Sequence, residues 1–123
     1  KNIKILPYLE NLAALLKVSD LIISRAGAGT ISEILMAQVP SILIPSPYVA
    51  ENHQFHNAMT LAEHDGAVLI EEKDLTGELL CKTVKELTEN PEKLKKLSEN
   101  AKALAVTDAN ERIRKEIISL YER

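Results

Sequence analysis

The chain has 123 residues, of which 46% are hydrophobic and only 3% aromatic, and its formal net charge at pH 7 is −3. This composition predicts one globular domain with an aliphatic core and leaves no room for a second domain of useful size. Basic residues are dispersed among acidic ones, so the chain lacks the electrostatic footprint of a nucleic-acid-binding protein. A single cysteine, Cys81, excludes a disulfide framework, and its place in a helical pattern predicts a buried thiol.

Membrane and metal functions have no signal in the sequence. No apolar run approaches the roughly 20 residues of a membrane span, and the first residues lack a signal-peptide pattern. These absences predict a soluble chain in a reducing cytoplasm. The histidines and carboxylates do not have the spacing of metal ligands, and no Ser-His-Asp arrangement indicates a nucleophilic site. We therefore expect neither a metal nor a cofactor.

Short β-branched runs alternate with longer helical patterns, as is typical of parallel strands joined by crossover helices. Four strands are predicted, at Ile3 to Leu6, Leu21 to Ser24, Ser41 to Ile44 and Ala67 to Ile70. The middle two are apolar enough to be covered on both faces. The predicted fold class is α/β, with an open parallel sheet of the Rossmann type and a helical C-terminal layer.

Apolar residues recur at helical spacing between and after these strands. The predicted helices are Leu9 to Val18, Ile31 to Gln38, Gln54 to His64, Leu75 to Leu87, Pro91 to Ala105 and Asp108 to Arg123. Gly66, shortly after the third helix, is well placed for a left-handed conformation. No strand is predicted after Thr76, so the last three helices form the C-terminal layer.

The segment Ser-Arg-Ala-Gly-Ala-Gly-Thr-Ile-Ser-Glu, residues 24–33, joins a predicted strand to a predicted helix. Gly27 and Gly29 allow positive φ and let a bound group approach the main chain closely. The unpaired N–H groups and the dipole of the following helix would favour a diphosphate. The same residues also fit a capping box, in which Thr30 and Glu33 only satisfy the start of the helix. Both interpretations stay open at this point.

Three predicted loops converge at the carboxyl ends of the strands, where open parallel sheets bind their ligands. The first strand ends at Pro7-Tyr8-Leu9, the second at the glycine turn, and the third at a polar loop with two prolines, residues 45–54. Recognition of a sugar requires several fixed donors and acceptors. Glu51, Asn52, His53 and Gln54 are predicted to supply them.

These segments together resemble a known family. Residues 24–33, with Pro-Ser-Pro-Tyr at 45–48 and Asn-His-Gln-Phe-His-Asn-Ala at 52–58, are similar to the donor half of the MurG family. Its members are the bacterial N-acetylglucosaminyltransferases of peptidoglycan synthesis, and the resemblance runs from about Ile3 to the C-terminus. It implies a two-domain glycosyltransferase of the GT-B type. Residues 1–123 would be its C-terminal UDP-sugar-binding domain, and the N-terminal acceptor domain would lie outside this chain.

The resemblance also implies a phosphate-binding turn. Gly27, Ala28, Gly29 and Thr30 correspond to the turn whose backbone amides face the diphosphate of UDP-N-acetylglucosamine. Glu33 corresponds to the glutamate that accepts hydrogen bonds from both ribose hydroxyls, for which an ionised carboxylate offers two acceptor oxygens.

Sugar and base contacts are implied in the same way. His53 and Gln54 correspond to the pair that meets the N-acetylglucosamine hydroxyls, and Tyr8 and Leu9 fall where the family packs the uracil. Arg25 either orients the phosphate turn or forms a salt bridge within the domain. No residue of this chain is implied as a catalytic base.

The family's reaction is an inverting transfer of N-acetylglucosamine to the lipid-linked acceptor undecaprenyl-pyrophosphoryl-N-acetylmuramyl-pentapeptide. It implies a peripheral protein at the inner face of the cell membrane, with a part in cell-wall synthesis, cell shape and division. This half would stabilise the departing UDP by preorganised electrostatics, and we expect it to be inactive alone.

Two alternatives and one structural expectation accompany this interpretation. The chain could instead be the donor-binding subunit of a split N-acetylglucosaminyltransferase, or part of another UDP-sugar GT-B enzyme such as a 2-epimerase. Because the opening strands of the usual sheet are missing, the strand at Leu21 is expected to pair with Ile3 to Leu6 in a rearranged sheet or with another chain. Open sheet edges invite such self-association.

Overall fold

The computed structural model describes residues 2–49 and 52–105. Within these ranges three parallel strands form one sheet in the order β1-β2-β3. The strands are β1 Ile22–Ser24, β2 Ser41–Leu43 and β3 Val68–Leu69. The helices are α1 Leu12–Val18, α2 Ala28–Ala37, α3 His53–Glu63 and α4 Gly77–Thr88, and residues 91–105 are helical as α5. The predicted open α/β sheet is confirmed, whereas the helix predicted from Asp108 lies outside the described residues.

The middle strand carries the centre of the core. Ile42 and Leu43 of β2 are fully buried, and neighbouring residues of a strand point to opposite faces of the sheet. Each residue therefore belongs to a different apolar cluster. β2 is covered on both faces, as its continuous apolar sequence predicted.

Two helical layers cover the two faces of the sheet. The first cluster joins α1, α2 and α3 to the face of Leu43, and its buried members include Leu16, Ile31, Ile34, Leu35, Ala58 and Leu61. The second cluster joins α4 and α5 to the face of Ile42, with Leu87 and Leu97 buried and Leu79, Leu80, Val84 and Leu94 packed around them. These side chains are the apolar stripes predicted for the helices.

Helix α5 crosses the end of the sheet where the strands begin, here called the lower end. Leu97 belongs to the second cluster and Ala101 to the first, so the helix passes from one face to the other. The hydroxyl of Ser98 donates to the carbonyl of Gln38, just before β2, at 2.6 Å. The lower end is therefore closed by a packed helix.

The N-terminal segment differs from the prediction. Residues 2–10 form neither strand nor helix and are exposed, so the strand predicted at Ile3 to Leu6 is wrong. Helix α1 begins at Leu12 rather than Leu9, because Asn11 caps it and accepts the N–H of Ala14 at 3.3 Å.

Strand β1 lies at an edge of the sheet. It pairs with β2 and not with Ile3 to Leu6, so the rearranged pairing is also wrong. Ile23 is 44% exposed, which contradicts the expectation that this strand is covered on both faces. An alternating or continuous apolar run does not reveal whether a neighbouring strand is present.

Two further local predictions are wrong. Cys81 is exposed, because it stands one residue past Leu80 on α4 and the helical rotation turns it away from the apolar stripe. The left-handed residue after α3 is Asp65, with φ 55°, and not Gly66. Space at Gly66 is tight, since a Cβ there would lie 2.9 Å from Leu104 Cδ1 and 3.4 Å from the carbonyl oxygen of Leu61.

Candidate functional site

The upper end of the sheet, where the strands finish, consists of residues 25–27 after β1, residues 44–49 after β2 and residues 70–76 after β3. No helix closes this end within the described residues. Open parallel sheets bind ligands at this end. The glycine turn, the loop after β2 and the start of α3 meet here, as predicted for two of the three loops, whereas the loop at Pro7 to Leu9 follows no strand.

Helix α2 begins directly after the glycine turn. Gly27 is its N-cap, with φ −65° and ψ 149°, and no side chain caps the helix. The first hydrogen bond of the helix runs from Ile31 N–H to Gly27 C=O at 2.9 Å. The N–H groups of Ala28, Gly29 and Thr30 therefore have no acceptor inside the helix and lie at the positive end of its dipole. This arrangement can bind an anion.

The turn differs from the prediction in two details. Neither Gly27 nor Gly29 has a positive φ, because an extended Gly27 already connects the strand to the helix. A Cβ at Gly29 would meet nothing within 4 Å, so the surface beside this residue is open to a ligand. Thr30 is the third residue of α2 rather than its N-cap, so Thr30 and Glu33 do not form a capping box.

Glu33 is exposed on α2, and its carboxylate pairs with no other side chain of the described residues. Residues three apart share a helix face, so Glu33 lies on the face that carries Thr30. A carboxylate at this position, one turn from the helix N-terminus and exposed, is accessible to hydroxyl donors of a ligand.

Helix α3 holds the peptide that precedes the glycine turn. The Oε1 atom of Gln54 accepts the N–H of Ala26 at 3.3 Å and the N–H of Ser46 at 2.8 Å. The Nδ2 atom of Asn57 donates to the carbonyl of Ala26 at 3.1 Å. Gln54 thus joins the turn after β1 to the loop after β2.

Arg25 joins all three loops of the upper end. Its Nη1 donates to the carbonyl of Ile44 at 3.3 Å, and its Nη2 lies 2.6 Å from Oε1 of Glu72. Glu72 begins a short 3-10 helix, Glu72–Asp74, after β3. Of the two roles expected for Arg25, the structure therefore contains the salt bridge within the domain.

The loop after β2 borders a cleft. His53 is the exposed first residue of α3, and Asn52 caps that helix in a left-handed conformation with φ 56°. The cleft beside them has a volume of about 410 Å³ and is lined by Pro45, Pro47, Tyr48, Asn52, Phe55 and residues 71–73. Rings and carboxylates together make it amphipathic.

Tyr8 and Leu9 are less closely tied to the turn. Both lie in the segment before α1, 78% and 40% exposed, and no hydrogen bond between described residues connects their side chains to the upper end. The structure brings Ala28, Gly29, Thr30 and Gln54 together at this end but gives Tyr8 and Leu9 no comparable contact.

Residues 2–49 and 52–105 form neither a metal-ligand cluster nor a membrane-spanning helix. This part of the chain contains no group of three or more His, Cys, Asp or Glu side chains that could hold a metal ion. None of its helices is long and apolar enough to span a bilayer.

Sequence reasoning assigned no role to Asn57 or Glu72. Asn57 follows Gln54 by three residues, and this spacing places both amides on one face of α3. That signal was available in the sequence. Glu72 had no comparable signal, since its contact with Arg25 depends on how β1 and β3 are arranged in space.

The chain belongs to a glycosyltransferase family. The family described as "Glycosyltransferase family 28 C-terminal domain" matches residues 1–113. The predicted resemblance and the predicted GT-B type of fold agree with this membership.

The relatives that the chain resembles are named UDP-N-acetylglucosamine–N-acetylmuramyl-(pentapeptide) pyrophosphoryl-undecaprenol N-acetylglucosamine transferase. The relative from Ruminiclostridium cellulolyticum is 49% identical over 111 residues, which are 90% of this chain and 30% of the relative. The relative from Bacillus subtilis is 45% identical over 107 residues, 87% of this chain and 30% of the relative. The chain thus spans about 30% of the length of these curated relatives.

A solved structure agrees with these matches. The crystal structure of Acinetobacter baumannii MurG superposes with a TM-score of 0.77 at 32% identity, covering 83% of this chain and 30% of the MurG chain. The resemblance to MurG predicted from the sequence motifs is confirmed.

Proposed function

We propose that residues 1–123 form the donor-binding domain of an N-acetylglucosaminyltransferase and bind UDP-N-acetylglucosamine at the upper end of the sheet. The observation that carries this proposal is the uncapped N-terminus of α2, where three backbone N–H groups lack an acceptor inside the helix. A diphosphate suits such a site because each N–H donates to an ionised oxygen and the helix dipole favours negative charge.

Each part of the nucleotide has a partner in this proposal. The amides of Ala28, Gly29 and Thr30 bind the diphosphate, beside the open surface of Gly29 and the N-cap Gly27. The exposed carboxylate of Glu33 accepts hydrogen bonds from the two ribose hydroxyls.

The sugar and the base complete the donor. The side-chain oxygen of Gln54 accepts the N–H groups of Ala26 and Ser46. Its amide hydrogens are therefore the groups available to the N-acetylglucosamine hydroxyls. His53, exposed at the start of α3, is the second sugar contact. Tyr8 and Leu9 pack the uracil, a role for which their exposed side chains are accessible.

In the complete protein, an acceptor hydroxyl attacks the anomeric carbon as UDP departs. Negative charge builds on the leaving diphosphate, and preorganised amide donors stabilise that charge. Removal of one such donor typically costs about a hundredfold or more in rate. The general base and the acceptor pocket belong to another domain, so this domain supplies leaving-group stabilisation.

We infer the acceptor from the names of the relatives. They describe transfer to N-acetylmuramyl-(pentapeptide) pyrophosphoryl-undecaprenol. A lipid-linked acceptor of this kind requires the complete protein to work at the membrane surface, which we propose is the inner face of the cell membrane. The acceptor in these names favours this function over a split transferase or a 2-epimerase.

Within the described residues no strand pairs with the outer edge of β1, and we propose that a second copy of the chain pairs there. Such pairing would satisfy the backbone groups of that edge and add a fourth strand to the sheet. Sedimentation that is independent of concentration and unchanged by Ile23→Lys would contradict this part of the proposal.

Titration calorimetry of the complete protein with UDP and UDP-N-acetylglucosamine tests the donor site. We expect Glu33→Gln to weaken both ligands by about tenfold or more, because hydrogen bonds to a charged acceptor contribute about 1.5–3 kcal/mol. The loss should be smaller for 2′-deoxy-UDP, which lacks one of the two hydroxyls.

Glu86→Gln on α4 is the matched control, since it makes the same chemical change at an exposed helical position on the opposite face of the sheet. It should bind all three ligands as the parent protein does. Equal affinity of Glu33→Gln and Glu86→Gln for UDP would overturn the ribose assignment.

A further inference from the structure

We propose that Asn57 is a positioning residue that, together with Gln54, fixes the direction of the anion-binding amides through the peptide of Ala26. This inference rests on the proposed donor function and extends it to a residue with no expected ligand contact. The two side chains, here called the amide clip, hold both backbone groups of Ala26.

Ala26 depends on the clip because of its place in the chain. It is fully buried between the end of β1 at Ser24 and the N-cap Gly27. It therefore lies outside both the strand ladder and the helix, which would otherwise satisfy its N–H and C=O. A buried peptide group needs a partner, and here side chains of α3 provide it.

The clip also determines the orientation of Gln54. Both groups that meet its Oε1 atom are N–H donors, from Ala26 and Ser46, so the oxygen must face them. Its Nε2 atom consequently lies toward the turn, 3.9 Å from the position that a Cβ of Gly27 would occupy. The amide hydrogens of Gln54 are thus presented beside the proposed diphosphate site.

Asn57 acts through this peptide. Its Nδ2 atom bonds the carbonyl of Ala26, and Ala26 precedes the N-cap of α2 by one residue. A rotation of that peptide would reorient Gly27 and the first amides of the helix. Misplacement of a binding group by about 1 Å can cost about a hundredfold in rate. Asn57 therefore affects donor binding by holding the turn in place.

Asn100 provides a matched control. Its Nδ2 atom also donates to a backbone carbonyl, that of Asp65 at 3.0 Å, but at the lower end of the sheet. Asn57→Ala and Asn100→Ala thus remove the same kind of bond at opposite ends of the sheet. Asn57→Leu, which keeps the side-chain volume without a donor, is the second variant and serves if Asn57→Ala does not fold.

The first measurement uses the complete protein with UDP and with uridine, which lacks phosphate. We expect Asn57→Ala and Asn57→Leu to lower the affinity for UDP by about tenfold and the affinity for uridine by less than about twofold. The kcat for sugar transfer should also fall. Asn100→Ala should leave all three values unchanged. Equal UDP affinity of the Asn57 and Asn100 variants would overturn the proposal.

The second measurement needs no ligand. Amide hydrogen exchange at Ala26, whose N–H is bonded to Gln54, should accelerate in the Asn57 variants and not in Asn100→Ala. Unchanged exchange at Ala26 would overturn the positioning role even if UDP binds. If exchange accelerates in the Asn57 variants but the parent protein does not bind UDP, the donor function is contradicted and the clip is supported.

Discussion

The two ends of the sheet are built by different physical means. The lower end is closed by α5, with Leu97 and Ala101 buried in the two apolar clusters. At the upper end, polar bonds of Arg25, Gln54 and Asn57 connect loops to one another. Apolar packing at the lower end is not directional, whereas the upper end depends on hydrogen-bond geometry.

This difference separates stability from binding. Buried aliphatic side chains supply most of the free energy of folding, and they leave no open backbone group for a ligand. At the upper end, three amides of α2 have no acceptor inside the helix, and polar side chains hold the turn that carries them. Substitutions at the lower end should therefore change stability alone, and substitutions at the upper end should change affinity first.

The largest effect on stability in this comparison is expected from Gly66→Ala at the lower end. The added Cβ would lie 2.9 Å from Leu104 Cδ1 and 3.4 Å from the carbonyl oxygen of Leu61, so the Leu104 side chain must shift against its neighbours. Overpacking of this kind costs about 1–3 kcal/mol, measured by urea unfolding. UDP affinity of the folded variant should not change, and an unaltered unfolding midpoint would contradict the tight packing of α5.

Gly29→Ala tests the same substitution at the upper end, with the opposite outcome. Its Cβ would meet nothing within 4 Å, and alanine is the better helix former, so the free energy of unfolding should rise by up to about 1 kcal/mol. If the proposed function is right, the added methyl group occupies space that the ligand needs. The affinity for UDP, measured by calorimetry, should then fall by about tenfold.

Gly77→Ala is the control for Gly29→Ala, because this first residue of α4 has equally open surroundings and lies outside the proposed site. It should leave UDP affinity unchanged. Undiminished affinity of Gly29→Ala would argue against a ligand beside the turn.

The smallest effect is expected within the sheet, at Ser41, the first residue of β2. Its hydroxyl is buried and finds no hydrogen-bond partner among the described residues. Ser41→Ala should therefore leave the free energy of unfolding unchanged or raise it by up to about 1 kcal/mol, with UDP affinity constant. A loss of more than about 1 kcal/mol in thermal unfolding would reveal a partner for that hydroxyl.

The helices and buried strands could be predicted from the sequence because their apolar residues follow the period of the element. Ile31, Ile34 and Leu35 of α2 are buried together, as their spacing predicted. The prediction of a strand at Ile3 to Leu6 was wrong because a strand forms only beside a neighbouring strand, and the local sequence does not show whether one is present. The prediction that Cys81 is buried was wrong because a single apolar residue beside an apolar stripe has no periodicity of its own.

The candidate site was predictable in part. The glycine turn before a helix located the open amides of α2, and the exposed position of Glu33 agrees with its expected role. The contacts of Gln54 with Ala26 and Ser46 could not be predicted, because they join segments 28 and 8 residues apart in the chain. Only folding brings those backbone groups within reach of one amide.

The bridge at Arg25 makes local opening of the upper end sensitive to ionic strength. Its guanidinium and the carboxylate of Glu72 are 50% and 28% exposed, so dissolved ions screen their attraction. Among the described residues no such charge pair joins α5 to the lower end, where the hydroxyl of Ser98 donates to the carbonyl of Gln38. Added salt should therefore increase the fluctuations that separate Arg25 from Ile44 and the loop after β3. The domain thus carries a mechanical asymmetry, because a charge pair joins the loops of the upper end whereas apolar packing and a neutral hydrogen bond join α5 to the lower end.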